Sequence, residues 1–167
     1  MTSLVLVGPP GAGKSTIGRR LARALNVELV DTDALIEQQL GKSCGEIFTE
    51  LGEAEFRRVE ESVVAAALQH NAVISLGGGA VLSQQTRDLL AECEVIWLDV
   101  SVAEGLKRTS GEATRPVLHA ADREARYREI LDSRRPLYQE VATFKARTSD
   151  STPQKIVTEI LSYLENQ

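Results

Sequence analysis

The sequence predicts an α/β domain in which helices cover both faces of a parallel sheet. Short apolar runs alternate with longer segments whose apolar residues recur at helical spacing, which is typical of successive strand–helix units. The first run, Leu4–Val7, contains no polar residue and ends at a glycine, as expected of a strand that is buried on both faces. The other elements follow the same pattern along the chain.

The predicted strands are short and most of them are apolar. The second ends at the polar Asp31-Thr32-Asp33, the third leads into Gly77-Gly78-Gly79, and the fourth ends at Asp99. In chain order the predicted strands are Leu4–Val7, 28–30, Ala72–Ser75, 95–98 and 144–148.

Helices are predicted between these strands. Ile17, Leu21 and Leu25 recur on one face of the first helix, and the last helix has a clear start signal in Thr152-Pro153. The stretch 109–122 is polar and has no steady period, so we expect an irregular segment there. The remaining predicted helices are 34–40, 53–68, 83–90, 102–108 and 127–141.

Composition excludes several classes of protein. The 167 residues are 43% apolar and 26% charged, which is the balance of a globular domain. A net charge of −5 argues against a dedicated nucleic-acid binder, and no apolar run is long enough to span a bilayer. The chain starts without a signal-peptide pattern, and Cys44 and Cys93 lack metal-like spacing. We therefore expect a cytoplasmic protein with reduced thiols.

Residues 8–16 carry the strongest motif. They read GPPGAGKST, which matches the P-loop pattern G-x-x-x-x-G-K-[ST] between a predicted strand and a predicted helix. Its glycines let backbone N–H groups surround phosphates at a helix N-terminus, Lys14 reaches the β- and γ-phosphates of ATP, and Ser15 offers a hydroxyl to Mg²⁺. The predicted nucleotide-binding residues of this loop are Gly11, Ala12, Gly13, Lys14, Ser15 and Thr16.

The P-loop does not identify the phosphoryl acceptor. GTPases, ATP-driven motors and small-molecule kinases share it, but the larger machines need more chain, and the guanine-reading Asn-Lys-x-Asp motif is absent. Size and motif together favour a compact kinase of a small molecule.

Asp31 and Asp33 follow the second predicted strand, at the sheet edge where α/β proteins bind ligands. One interpretation places one carboxylate near the metal and the other near an acceptor hydroxyl. The alternative is structural: Asp31 ends the strand and Asp33 caps the next helix.

Glycines and arginines supply further candidates. Gly77-Gly78-Gly79 follows the third strand, where it exposes backbone N–H groups to a polar ligand or simply makes a tight turn. Arginines at Arg57-Arg58, Arg115 and Arg134-Arg135 would recognise a carboxylate if they converge on one cleft, which the sequence alone does not establish.

Taken together, these residues resemble one family, the shikimate kinases. The segments that carry the resemblance span nearly the whole chain in the family's order: GPPGAGKST, Asp31-Thr32-Asp33, Phe56-Arg57, Gly77-Gly78-Gly79, Thr114-Arg115-Pro116 and Arg134. The resemblance implies a single domain, 1–167, with the three-layer P-loop kinase fold and a five-stranded parallel sheet in the order 2-3-1-4-5. It also implies substrate-binding helices at about 33–60 and a mobile lid at about 110–122.

The resemblance further implies a reaction and a site. The reaction is phosphorylation of the shikimate 3-hydroxyl by ATP with Mg²⁺, by a protein that we expect to be a monomer without nucleic-acid or membrane partners. Lys14, Asp33 and Arg115 would be catalytic, and Ser15 and Asp31 would serve the metal. Arg108 and Arg115 would join the P-loop in nucleotide binding. The implied shikimate-binding residues are Asp33, Phe48, Phe56, Arg57, Glu60, Gly77, Gly78, Gly79 and Arg134.

One departure from the family pattern is visible. Many members have a second adenine-flanking arginine two residues before the proline of the final loop, and here that position is Ser151. Two alternatives also stay open: a kinase of another hydroxylated acid such as gluconate, and a nucleotide-binding regulatory domain without catalysis.

Overall fold

The structure, a computed structural model, describes residues 3–109 and 120–167. Its strands form one five-stranded parallel sheet in the order β2-β3-β1-β4-β5, which confirms the predicted fold class. The strands are β1 Leu4–Val7, β2 Glu28–Asp31, β3 Ala72–Ser75, β4 Glu94–Asp99 and β5 Phe144–Arg147.

Helices cover both faces of this sheet. They are α1 Lys14–Leu25, α2 Thr32–Leu40, α3 Cys44–Leu51, α4 Glu53–Ala67, α5 Gln84–Leu90, α6 Val102–Thr109, α7 Ala120–Val141 and α8 Pro153–Glu165, with a short 3₁₀ helix at Ala80–Leu82. No helix within residues 3–109 and 120–167 is long and apolar enough to cross a membrane.

The packing of strand β1 explains why its sequence is apolar throughout. Leu4 and Leu6 pack into a core with α1 and α8, whereas Val5 and Val7 pack on the opposite face with α4 and α7. Side chains of a strand alternate between faces, so a central strand that is covered twice needs apolar residues at every position. A third, smaller cluster joins α2, α3 and α4.

Three sequence predictions need correction. Helix α3 was missed, although Ser43 and Glu46 have the spacing of a capping box and Ser43 Oγ accepts from the Glu46 N–H at 3.2 Å. The 3₁₀ helix at Ala80–Leu82 was also missed, because a single turn has too few residues to show a period. Helix α7 begins at Ala120, seven residues before the predicted start at Tyr127 (127 − 120 = 7). Most of the predicted lid, 110–119, lies outside the described residues.

The strand order positions the candidate site. Because all strands are parallel, their carboxyl ends meet at one edge, and β1 lies next to β3, which lies next to β2. The P-loop after β1, the glycines after β3 and the aspartates at the end of β2 therefore lie side by side.

Candidate active site

The P-loop connects β1 to α1, and its geometry favours an anion. Gly13, the residue before α1, has φ 95° and no side chain to cap the helix, which leaves the first N–H groups of the helix available to an anion. Gly11 has φ 83°, and a Cβ there would lie 2.7 Å from the Gly105 carbonyl oxygen of α6. Ser15 and Thr16 are exposed at the start of the helix.

Lys14 folds back over this loop. Its Nζ donates to the carbonyl oxygens of Gly8 at 2.6 Å and Pro9 at 3.0 Å. Burial lowers the pKa of Lys14 to about 8, against the opposing charges of Asp33 and Asp31. A phosphate that enters the loop would replace the carbonyl partners and stabilise the ammonium.

We expect ADP affinity to fall as the pH rises above the Lys14 pKa of about 8. Below that pH the Lys14 side chain is already protonated. Above it, the neutral amine must take up a proton each time ADP binds. The Kd for ADP should then rise by up to about tenfold per pH unit. Calorimetry at about pH 7 and about pH 9, in buffers of different ionisation enthalpy, measures both the Kd and the proton uptake. Lys14→Met should remove the proton uptake, and a Kd that is constant over this range would contradict the prediction.

The two aspartates have distinct positions. Asp31 is the N-cap of α2, because its Oδ1 accepts from the N–H of Asp33 at 2.9 Å and of Ala34 at 3.2 Å. The alternative interpretation of Asp33 as the cap was therefore wrong. Asp33 lies in the first turn, and its pKa is raised by burial and then by the nearby charge of Asp31, while Lys14 and Arg57 oppose the shift.

Each of the three consecutive glycines faces a different charged side chain. A Cβ on Gly77 would lie 2.5 Å from Asp33 Oδ1, and one on Gly78 would lie 3.3 Å from Arg134 Nη1. A Cβ on Gly79 would run into the guanidinium of Arg57. The glycines thus let one carboxylate and two guanidinium groups approach the backbone beside the P-loop, which a simple tight turn does not require.

Arg57 is held by its own helix. Its Nη1 donates to Glu60 Oε1 at 2.7 Å, and its Cζ lies 5.3 Å from the centre of the Phe56 ring. Glu60 is only 2% exposed, and burial raises its pKa while the pairing with Arg57 lowers it. Phe48 lies 5.5 Å from Phe56, ring to ring, and is 38% exposed. The Nε atom of Arg57 is buried without a hydrogen-bond partner among the described atoms.

Arg108 lies on the other side of the P-loop, on α6. Its Nη1 donates to the Gly11 carbonyl oxygen at 3.0 Å and its Nη2 to that of Thr148 at 2.9 Å. Arg115 lies outside the described residues. The structure therefore brings together Lys14 and Asp33 with the two guanidinium groups and the glycines, and it places Arg108 against the loop itself.

Sequence reasoning missed three residues that hold this site. Thr32 is buried, and its Oγ1 donates to the Ser75 carbonyl oxygen at 3.3 Å and accepts from the Gly77 N–H at 3.2 Å. Tyr127 and Tyr138 donate to the carbonyl oxygens of Pro10 and Gly78. Their partners are main-chain atoms far away in the sequence, which no local spacing reveals.

A phosphate-binding loop beside a half-buried carboxylate and two guanidinium groups defines a P-loop kinase of a small molecule. Residues 10–165 match the family model described as shikimate kinase. A shikimate kinase from Corynebacterium efficiens is 63% identical over 163 residues, which cover 98% of this chain and 96% of that protein. The chain belongs to the shikimate kinase family.

Solved structures agree with this assignment. A shikimate kinase from Acinetobacter baumannii in complex with shikimate superposes with a TM-score of 0.92 at 34% identity, covering 99% of this chain and 94% of that one. A gluconokinase from Sinorhizobium meliloti 1021 reaches a TM-score of 0.64 at 19% identity, covering 99% of this chain and 92% of that one, which indicates a shared fold alone.

Proposed function

We propose that this enzyme transfers the terminal phosphoryl group of ATP to the 3-hydroxyl of shikimate, which gives shikimate 3-phosphate and ADP. This step lies in the pathway to chorismate and the aromatic amino acids. Family membership supports the reaction, and one observation of the structure carries it: Asp33, Arg57 and Arg134 lie against three consecutive glycines beside the P-loop. Shikimate is a carboxylated cyclic polyol, so it needs cations for its carboxylate and an acceptor for its hydroxyls.

In the nucleotide half, the loop residues Gly11 to Thr16 hold the phosphates through backbone N–H groups, the Lys14 ammonium and two hydroxyls. Arg108 flanks the adenine in this proposal. Its guanidinium already bonds the carbonyl oxygens of Gly11 and Thr148, so it also fixes the outer side of the loop. Ser151 has no guanidinium, which leaves Arg108 as the adenine-flanking arginine in this proposal.

Ser15 and Asp31 would hold Mg²⁺. Hydroxyl and carboxylate oxygens suit this ion, and Asp31 Oδ1 is engaged as the helix cap, so Oδ2 is the oxygen left for the ion. The searched part of the chain, 3–109 and 120–167, holds no cluster of three or more His, Cys, Asp and Glu residues suited to a metal. When bound, Mg²⁺ would neutralise negative charge on the phosphates of ATP.

In the acceptor half, Arg57 and Arg134 would pair with the shikimate carboxylate, with Glu60 orienting Arg57. Phe48 and Phe56 would form the wall of the pocket, and the backbone of Gly77, Gly78 and Gly79 would meet the substrate directly. Asp33 would hold the reacting hydroxyl and accept its proton, and its raised pKa suits a proton acceptor. Lys14 and Arg115 would neutralise the transferring phosphoryl group.

Replacing Gly79 with alanine is expected to raise the KM for shikimate about three- to tenfold, because the new methyl group displaces the Arg57 guanidinium and weakens a charge-assisted pair. The fold should survive, since Gly79 has φ −99° and the clash involves the movable end of a side chain. Steady-state kinetics and a thermal melt measure both effects.

Gly45→Ala is the matched control for this substitution. Gly45 lies in α3, and a Cβ there would meet nothing within 4 Å. The same added methyl should leave the KM unchanged and stabilise the helix by about 0.5–1 kcal/mol. Equal KM values in Gly79→Ala and wild type would contradict the placement of Arg57 at the substrate.

The direct test is a coupled ADP-release assay with shikimate, gluconate and nucleoside monophosphates offered in parallel. We expect shikimate to be the one acceptor of the three that is phosphorylated, at a rate far above that of ATP hydrolysis without an acceptor. If gluconate is phosphorylated in preference to shikimate, gluconate is the acceptor and this proposal is wrong. If ADP binds but no acceptor is phosphorylated, the result favours a regulatory domain. The cytoplasmic location, the single domain and the monomeric state stay predictions.

A further inference from the structure

Helix α7 carries two tyrosines whose hydroxyl groups donate to the two loops of the site. The Tyr127 hydroxyl donates to the carbonyl oxygen of Pro10, in the P-loop, at 2.7 Å. The Tyr138 hydroxyl donates to the carbonyl oxygen of Gly78, in the glycine loop, at 2.6 Å. They are eleven residues apart (138 − 127 = 11), about three helical turns, so both lie on one side of the helix.

Tyr138 also lies near a side chain of the acceptor half. It is fully buried, and burial raises the pKa of its hydroxyl while the nearby charge of Arg134, one turn earlier on α7, opposes that shift. A Cβ on Gly78 would lie 3.3 Å from Arg134 Nη1, so Tyr138 holds the backbone beside a guanidinium group that the proposed function assigns to the shikimate carboxylate. Loss of this hydroxyl would release the Gly78 carbonyl oxygen.

Tyr127 is held tightly against the nucleotide half. It is 9% exposed, and α6 passes so close that a Cβ on Gly105 would run into the phenol ring and hydroxyl. The Gly105 carbonyl oxygen in turn approaches Gly11 of the P-loop. The hydrogen bond of Tyr127 therefore goes to the P-loop, whereas that of Tyr138 goes to the glycine loop.

Both phenols remain donors at any working pH. Burial raises the pKa of Tyr127 and of Tyr138 to about 12 in each case. A phenylalanine would fill the same space, so Tyr→Phe removes the hydrogen bonds with little change in packing.

We propose that α7 positions the two halves of the site separately: Tyr138 is a positioning residue for the acceptor half and Tyr127 for the nucleotide half. The identity of the acceptor in this inference rests on the proposed function. The assignment of one tyrosine to each half of the site rests on the two hydroxyl groups and their hydrogen-bond partners.

The experiment compares the protein's three tyrosines. Tyr138→Phe should raise the KM for shikimate about five- to tenfold and leave the KM for ATP within about twofold. Tyr127→Phe should do the reverse. Tyr163→Phe is the control, because its hydroxyl bonds Glu94 Oε2 at 2.9 Å on β4, and we expect both KM values to stay within about twofold of wild type.

Thermal melts accompany the kinetics. If Tyr127→Phe and Tyr138→Phe alter both KM values equally, or lower only the melting temperature, the hydroxyls are structural and the inference is wrong. If the wild type fails to phosphorylate shikimate, the proposed function fails, and ADP calorimetry without an acceptor decides the inference instead. A weaker Kd for Tyr127→Phe, with Tyr138→Phe unchanged, would then support it, and equal changes would overturn it.

Discussion

Replacing Asp33 with asparagine is expected to lower kcat by about 10²–10⁴-fold while ADP binding stays close to wild type. Asparagine keeps the shape that fits beside Gly77, and its carbonyl oxygen can still accept a hydrogen bond from a hydroxyl. It carries no charge and cannot take the proton of that hydroxyl. A loss of this size would therefore separate proton acceptance from simple orientation of the substrate, a distinction that loose phosphoryl-transfer transition states leave open.

The pH profile gives a second measure of the same group. Burial and the charge of Asp31 raise the pKa of Asp33. As the pH is lowered, Asp33 should therefore become protonated, and kcat/KM of the wild type should fall, at a higher pH than for an aspartate with an ordinary pKa. Asp132→Asn makes the same chemical change at an exposed position on α7 and should leave kcat unchanged. Near-normal turnover in Asp33→Asn would remove Asp33 from the catalytic role.

The sequence predicts those parts of the fold that local patterns encode. All five strands were predicted to within a residue or two. Continuous apolar runs identified β1, β3 and β4, since a strand that packs on both faces allows few polar side chains. The strand order did not follow from these runs, and it came from the resemblance to the shikimate kinases. Helix α3 and the start of α7 were missed because each covers only about two turns, too few for apolar residues at helical spacing to stand out from the polar residues around them.

The candidate site divides in the same way. The motif predicted the position of Lys14, and the ends of the parallel strands placed Asp33 and the glycines at the same edge of the sheet, because both follow from general geometry. Whether the arginines converge depends on how α4 and α7 pack, and the structure brings Arg57 and Arg134 to adjacent glycines. Tyr127 lies 117 residues from its partner Pro10, so only the folded chain reveals that contact.

Replacing Arg57 with alanine is expected to raise the KM for shikimate about ten- to hundredfold, with a smaller change in the KM for ATP. Hydrogen bonds to charged groups contribute about 1.5–3 kcal/mol each, which corresponds to this range. Arg58→Ala is the matched control, because the neighbouring side chain is 72% exposed and pairs only with Glu55 among the described contacts. Initial-rate kinetics with each substrate varied in turn measure both KM values.

Arg57→Ala also has a structural cost that must be separated from substrate binding. Glu60 is 2% exposed, and removal of Arg57 leaves its carboxylate buried without that partner, which destabilises the fold. Glu60→Gln in the same chain removes the buried charge, so the double variant should regain stability. Its KM for shikimate should nevertheless stay high, because the guanidinium that binds the carboxylate is still missing. If the double variant instead recovers a wild-type KM, Arg57 acts only by supporting Glu60 and does not bind the substrate.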